Sequence, residues 1–272
     1  MLESGDTQVS EVDADARPLS KYGKTVGGYN CQIAVDDKHK LIVAQDVVQD
    51  GDDSSQLEST MRKVSEATGN ARLIGMADAG YCNGEQLKSC EENGHDVYVP
   101  VPKHAARKAK NGRFGSNDFH YDAQSDTYVC PAGKRLDRRK SNADKGKLNF
   151  VYPSIAADCR GCSLSHRCLT KGQSSRRIQR WEHEDVMERH RKKMSAGAPS
   201  AQERRVLVEH PFGTLKRWAG KAHFLMRGLG KCRGEFSLMT LGYNFKRVMN
   251  ELGADAFREH CLQKRRTGTV TA

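Results

Sequence analysis

Two carboxylates of this sequence stand in surroundings suited to metal-ion chemistry. Asp78 follows the mostly apolar segment RLIGMA (72–77), so we expect it at the C-terminal end of a buried strand, a common position for catalytic groups in α/β sheets. Glu209 has Arg205 four residues before it and Lys216 seven after, and a continuous helix would place all three on one face. Carboxylates bind Mg²⁺, and the flanking cations suit phosphate groups.

Each of these strings also has a plainer interpretation. An Asp that ends a strand often only caps the next helix, so Asp78 could be structural. The Glu209 string could be a stripe of surface ion pairs on a solvated helix. Pro211 removes a backbone donor and could kink the helix directly after Glu209.

A second group of residues with metal-binding potential is formed by cysteines. Cys159 and Cys162 form a CxxC in DCRGC, which puts two thiolates on one tight turn as tetrahedral zinc sites do, and Cys130 and Cys168 could complete the set. The spacing is looser than that of a standard zinc ribbon. We favour a structural zinc, and the alternative is a set of reduced cysteines in a poorly ordered insertion. The other five cysteines are expected to be ordinary small buried residues.

The elements that must position these residues follow from the apolar periodicity. The pattern predicts a hairpin of strands 29–35 and 41–49, a helix 53–68 capped by Asp53 or Ser54, a strand 72–77, a helix 83–92 and a strand 96–101. This order predicts a mixed α/β sheet. Further helices are predicted at 181–194, at about 200–218 and at 236–252.

Between these elements the pattern changes in ways that suggest five segments. Residues 103–180 are basic and contain Gly, Ser and the cysteine cluster, which indicates an insertion instead of a regular sheet. We expect an irregular arm (1–27), the first part of an α/β core (28–102), a basic Cys-rich insertion (103–180), a helical completion of the core with the Glu209 helix (181–255) and a disordered tail (256–272).

The charge of the chain is divided unevenly. Residues 1–100 hold 9 Lys and Arg against 18 Asp and Glu, whereas residues 101–272 hold 36 against 16. A net charge of +20 in the second part favours a polyanion partner, because cations gain affinity by releasing counterions from phosphates. A solvated basic surface without a dedicated partner is the alternative.

No apolar segment approaches the roughly 20 residues that span a bilayer, and MLESGDTQVS lacks signal-peptide features, so we expect a cytoplasmic protein without membrane contact.

Taken together, the strings of this sequence resemble the DDE transposases of bacterial insertion sequences. The resemblance runs, in the family's order, over roughly residues 11–250, through EVDADAR, GGYNCQIAVD, ADAGY, VYVP, VEHPFGTLKR, FLMRGL and LGYNFKRV. It implies a ribonuclease-H-like mixed sheet with flanking helices. It also implies metal-dependent cleavage and transfer of DNA strands at insertion-sequence ends, with two Mg²⁺ or Mn²⁺ ions, in an active assembly that is a homo-oligomer.

The resemblance also assigns roles to residues. It implies that Asp78 and Glu209 are the second and third metal-binding acids, and that Arg205, Lys216 and Arg217 contact DNA. The family's tyrosine, three residues before the arginine, falls on Gln202, so this contact is not expected here.

The first acid of the family has no clear counterpart. The resemblance puts it on a first strand at the centre of the sheet, but nothing upstream of Tyr29 is apolar enough for such a strand. Asp13 and Asp15 match a motif that follows that strand in the family, and Asp36 falls in a solvated turn. We therefore expect that the chain lacks this strand, as a truncated or split transposase, and is inactive alone. The alternatives are a non-catalytic DNA-binding fragment and another metal-dependent nuclease of the same fold.

Overall fold

The structure is a computed structural model that describes residues 10–21, 23–102, 112–144, 147–197, 211–218 and 223–267. It is a mixed α/β structure with several small sheets, which confirms the expected mixed α/β class. The chain divides into two compact units, residues 1–100 with 194–272, called the first unit below, and residues 101–193, called the second unit. No helix of the described residues is long and apolar enough to cross a membrane.

The first unit contains three pairs of strands. The strands are β1 (Arg17–Lys21), β2 (Lys24–Gly28), β3 (Asn30–Val35), β4 (Ile42–Val48), β5 (Ile74–Met76) and β6 (Asp96–Tyr98). The pairs β1–β2 and β3–β4 are antiparallel, and β5–β6 is parallel. In the described residues these pairs are three separate two-stranded sheets.

The predicted hairpin at 29–49 is confirmed, since β3 and β4 pair in antiparallel register. Its sequence signal was the alternation of strand-forming residues along both arms. The prediction of an irregular arm over residues 1–27 is wrong for β1 and β2. Their hairpin carries little apolar pattern: Val26, for example, is 52% exposed. It is joined by backbone hydrogen bonds in register from Arg17↔Gly28 to Lys21↔Lys24.

Two helices flank the parallel pair: α1 (Leu57–Thr68), which contacts β3, β4 and α2, and α2 (Gly84–Glu92), which contacts β6. Met61 of α1 lies against Gly75 of β5, where an added Cβ would come within 2.7 Å of the Met61 sulfur. The predicted cap of α1 is wrong, since the helix begins after Gln56, which makes no side-chain cap bond.

Three further helical segments complete the first unit: α6 (described over 211–218), α7 (Leu229–Leu252) and α8 (Ala254–Thr267). Of these, α6 and α7 share one core with the β3–β4 hairpin, whereas α8 packs against α7. The core contains Ile33, Ile42, Val47, Leu215, Cys232, Phe236 and Tyr243. The predicted disordered tail is wrong over the described part of α8, where Phe257 packs edge-on against Phe245 of α7 with ring centroids 5.6 Å apart.

The second unit is built on two three-stranded antiparallel sheets. One sheet has the order β7 (His120–Asp122), β8 (Thr127–Val129), β9 (Arg135–Asp137), and the other has the order β10 (Lys140–Asp144), β11 (Lys147–Pro153), β12 (Arg177–Trp181). Two short helices lie between β11 and β12, namely α3 (Ala156–Arg160) and α4 (Ser165–Cys168), and α5 (Glu184–Gly197) follows β12.

The expectation that residues 103–180 contain no regular sheet is therefore wrong for the described part. Phe119, Tyr128, Leu136, Tyr152 and Ile178 form a buried core of the second unit. Phe119 directly precedes β7, and the other four lie in short strands of three to seven residues. Such strands are too short to give a clear alternating pattern in the sequence.

Candidate functional site

Asp78 lies at the C-terminal end of the parallel pair β5–β6. Ala77 extends the pairing by donating its backbone N–H to the Tyr98 carbonyl at 3.1 Å, and Asp78 follows with an extended backbone. The carboxylate of Asp78 is exposed and makes no cap hydrogen bond. The next helix, α2, is capped by Asn83, whose side chain accepts the Glu85 N–H at 3.0 Å. The capping interpretation of Asp78 is therefore excluded by the geometry.

The turn that carries Asp78 is tied to strand β3 by a hydrogen-bond network. The Tyr81 N–H donates to the Asp78 carbonyl at 3.0 Å and closes a 3₁₀ turn over Ala79–Tyr81. The Tyr81 hydroxyl then donates to Oε1 of Gln32, which is buried in β3. The position of Asp78 thus depends on a side chain 46 residues earlier in the chain.

The same network holds a second carboxylate, that of Asp53. Its Oδ1 accepts the Asn30 Nδ2 amide at 2.9 Å and the Gln32 Nε2 amide at 2.7 Å. Its Oδ2 would lie 3.5 Å from a Cβ added to Gly80, so Asp53 lies beside the turn that follows Asp78. Asp53 stands three residues before Gln56, the N-cap residue of α1, and therefore does not cap this helix.

The electrostatics agree with this arrangement. Burial raises the pKa of the Tyr81 hydroxyl above its ordinary value, and the negative charges of Asp53 and Asp78 raise it further. Tyr81 therefore stays protonated at neutral pH and remains a hydrogen-bond donor to Gln32.

The sequence predicted neither Asp53, Tyr81 nor Gln32 as part of the site. A signal was present in the string YNCQIAV. Asn30 and Gln32 are two residues apart, so they lie on one face of a strand, and polar side chains at both positions of a partly buried strand need partners. Their common partner, Asp53, could not be identified without the tertiary structure.

Of the residues predicted around Glu209, the structure describes only those that follow it. Glu209 and Arg205 lie outside the described residues. In α6, Leu215 is 2% exposed and packs in the core of the first unit, whereas Lys216 and Arg217 are exposed. The Lys216 ammonium lies 5.7 Å from the centre of the Phe212 ring. The two predicted DNA-binding cations of α6 are thus exposed on a helix that Leu215 anchors in the core.

Asp13 and Asp15 have structural partners at the start of α7. The Asp13 carboxylate accepts the Gly228 N–H at 3.1 Å and the Tyr29 hydroxyl at 2.8 Å, and Asp15 accepts the Leu229 N–H at 2.9 Å. The first N–H groups of a helix have no partner within it, and these carboxylates satisfy them. Asp36 is likewise occupied in the β3–β4 turn, where it accepts the N–H groups of His39 and Leu41.

The four clustered cysteines come together in the second unit. Cys130, Cys159, Cys162 and Cys168 line one pocket, together with the rings of Phe114 and Phe119 and with Arg176. Burial raises the pKa of the Cys168 thiol, Arg176 lowers it, and the neighbouring thiols of Cys159, Cys130 and Cys162 raise it again. All nine cysteines of the chain are free thiols in this structure.

In the part of the chain that the structure describes, no three His, Cys, Asp or Glu side chains are yet arranged so that they could hold a metal ion. Glu209 lies outside these residues. Asp78 and Asp53 lie beside the same turn, and the described part of the first unit therefore presents carboxylates near one another without forming a complete metal site.

Comparison with known proteins identifies the family of one segment. Residues 129–249 match the model of a family described as "Transposase DDE domain". This match confirms the resemblance to DDE transposases for the C-terminal part of the chain. It covers the second unit from residue 129 onward, the Glu209 string and most of α7. Searches of curated proteins and of solved structures returned no match.

Proposed function

We propose, on the premise that residues 129–249 match a transposase DDE domain, that this chain contributes Asp78 and Glu209 to a DDE centre that cleaves and transfers DNA strands. The observation that carries the proposal is the placement of Asp78. Its carboxylate is exposed at the C-terminal end of a parallel strand and makes no helix-cap hydrogen bond. The turn that follows it is held by the hydrogen bond from Tyr81 to Gln32. Because this carboxylate makes no cap hydrogen bond, it is available to bind a ligand.

The strand arrangement supports a ribonuclease-H-like core. In the described residues the antiparallel pair β3–β4 and the parallel pair β5–β6 are separate, and α1 packs on both, through its contacts with β3 and β4 and through Met61 against Gly75. This is the arrangement expected when the central strand of such a sheet is not among the described residues. The first catalytic acid would lie on that strand, because neither Asp13 nor Asp15 is free to replace it.

The donor chemistry fits Mg²⁺ or Mn²⁺, which prefer carboxylate oxygens. Asp78 and Glu209 would hold the metal ions, which when bound activate the attacking oxygen and stabilise the leaving oxygen of an in-line displacement. The Asp53 carboxylate and the Tyr81 hydroxyl keep the Asp78 turn in place. Lys216 and Arg217, exposed beside the buried Leu215, would contact the DNA backbone.

The charge of the second unit supports a DNA partner. Residues 101–193 contain 22 Lys and Arg against 10 Asp and Glu. Several of these cations are occupied within the unit, such as Arg180, which pairs with Glu188 and lies 3.8 Å from the Tyr121 ring centre. Others, such as Arg139 and Arg177, are exposed and are available for phosphate groups.

The test measures Mn²⁺ binding and DNA cleavage by the purified chain. Asp78→Asn and Glu209→Gln should each weaken Mn²⁺ binding, read by electron paramagnetic resonance, whereas Glu92→Gln, at an exposed position of α2, serves as the control. The chain should bind duplex DNA in a salt-dependent manner and should not cleave it alone. Unchanged Mn²⁺ binding in both variants would refute the metal assignment.

The cleavage assay separates the remaining functions. Metal-dependent nicking of any duplex by the chain alone, lost in Asp78→Asn, would indicate a nuclease instead of a transposase. Strand transfer by the chain alone that is abolished by Asp13→Ala or Asp15→Ala would overturn the assignment of these two acids to the fold.

A further inference from the structure

We propose that Cys130, Cys159, Cys162 and Cys168 bind one structural zinc ion in the second unit. The four thiols come from three separate segments of the chain and line the same pocket. Cys130 follows β8, Cys159 and Cys162 lie in and after α3, and Cys168 ends α4. Four sulfur ligands in tetrahedral geometry are typical of structural zinc sites.

The turn at Cys130 has the local geometry that a metal-binding thiolate needs. The backbone folds back on itself through bonds from the Cys130 N–H to the Lys134 carbonyl (2.9 Å) and from the Gly133 N–H to the Cys130 carbonyl (2.8 Å). Gly133 has a φ of +76°, which a side chain would disfavour. The Lys134 N–H then lies 3.3 Å from the Cys130 sulfur, where it would stabilise a thiolate.

The CxxC turn is closed in a comparable manner. The Cys162 N–H donates to the Cys159 carbonyl at 3.3 Å, which brings the two cysteines onto one turn. The Cys159 sulfur and the Ser154 hydroxyl lie 3.1 Å apart, and the Ser154 oxygen also accepts the Arg176 N–H at 2.8 Å. These contacts fix the turn against the end of β11 and the start of β12.

The charges around the pocket favour an anionic cluster. A zinc ion with four thiolates carries a net charge of −2, and the pocket lining contains Lys134, Arg135 and Arg176 against a single acid, Asp158. The Nε atom of Arg176 is buried and has no hydrogen-bond partner within the described structure. A thiolate sulfur would give this buried donor the partner that such groups normally have.

Zinc would also explain how the second unit holds together. Its core cluster has only five buried residues, and α3 and α4 are only five and four residues long. Helices of this length are marginal without an external restraint. The ion would join the β8–β9 turn to α3 and α4. The thiols are not at ligand distances in the structure, so binding must draw them together and release their protons.

The experiment titrates Co²⁺ into metal-free full-length chain, because tetrahedral thiolate coordination of Co²⁺ gives sulfur-to-metal charge-transfer and intense ligand-field absorption. We expect the thiolate bands to saturate at one equivalent of Co²⁺ and to be lost on addition of one equivalent of Zn²⁺, and we expect one zinc per chain in protein purified without chelators. Chelation should lower the melting temperature. Saturation without thiolate bands, or folded protein that carries no zinc and takes up none, would overturn the proposal.

Variants assign the ligands. Cys159→Ser and Cys168→Ser should each remove the stoichiometric zinc, whereas Cys261→Ser, at an exposed position of α8, should retain it. Because a ligand variant can fail to fold, the titration of the unmodified chain decides on its own whether a thiolate site exists. Counting thiols in denatured, unreduced protein adds a further check: nine are expected, and seven or fewer would indicate disulfides in place of the metal.

Discussion

The carboxylate of Asp13 accepts a hydrogen bond from the backbone N–H of Gly228 at 3.1 Å, across 215 residues of sequence. Because the Tyr29 hydroxyl donates to the same side chain, one carboxylate links the N-terminal region, the start of β3 and the start of α7. The DADAR string is thus explained by the fold. Tyr29, one of the residues that Asp13 contacts, packs against the core that also contains Leu215 of α6.

This contact predicts a pH dependence of stability. The hydrogen bond from Gly228 lowers the pKa of Asp13 below its ordinary value of 3.8, with a further contribution from Tyr29. A carboxyl group with a lowered folded-state pKa stabilises the protein above its unfolded-state value, and this contribution is lost as the pH falls through the folded-state pKa. Thermal unfolding of Asp13→Asn should therefore show a lower melting temperature at pH 7, and the difference from the unmodified protein should shrink towards pH 3.

The control for this measurement is Glu11→Gln, two residues away at an exposed position. It removes a carboxylate charge at a neighbouring position and leaves the Asp13–Gly228 contact unchanged. A Glu11→Gln variant that loses as much stability as Asp13→Asn would show that net charge, and not the Gly228 contact, is responsible.

Tyr81→Phe tests the network behind Asp78. The variant removes the hydroxyl donor to Gln32 and should cost about 1 kcal/mol of unfolding free energy, the usual net value of one hydrogen bond. Because groups behind a ligand orient it, Mn²⁺ affinity should fall roughly tenfold. Tyr121→Phe is a matched control, since it removes a hydroxyl bond to Asp126 (3.0 Å) in the second unit. Equal loss of Mn²⁺ affinity in both variants would contradict a positioning role for Tyr81.

Alanine substitutions at the adjacent residues Leu215 and Lys216 of α6 should affect different properties, namely stability and DNA binding. Leu215 is 2% exposed in the core, so Leu215→Ala should destabilise the chain by about 2–5 kcal/mol. Lys216 is exposed, so Lys216→Ala should change stability by less than about 0.5 kcal/mol. Lys216→Ala should instead weaken DNA binding and reduce the salt slope by about 0.9 if it contacts one phosphate. Denaturant unfolding and fluorescence anisotropy at several salt concentrations measure the two effects, and an unchanged salt slope would remove Lys216 from the interface.

The sequence predicted those elements whose pattern is local and complete. The β3–β4 hairpin has alternating strand formers on both arms, and α2 and β6 follow from short apolar patterns with clear boundaries. The sequence did not predict elements whose apolar pattern is weak or whose stability comes from a packing partner outside the element. The β1–β2 hairpin is exposed and has little apolar alternation, and α8 depends on contacts such as that of Phe257 with Phe245.

The sequence by itself determined which half of the chain carries the positive charge and which thiols cluster, and it predicted which carboxylates could bind a metal, because these inferences depend on residue types and spacing. The tertiary structure decided which acids serve the fold. Asp13 and Asp15 cap a helix more than 200 residues away, and Asp53 joins the network behind Asp78. A carboxylate in a sequence does not reveal its hydrogen-bond donors, since backbone N–H groups and amides from distant segments reach it only when the chain has folded.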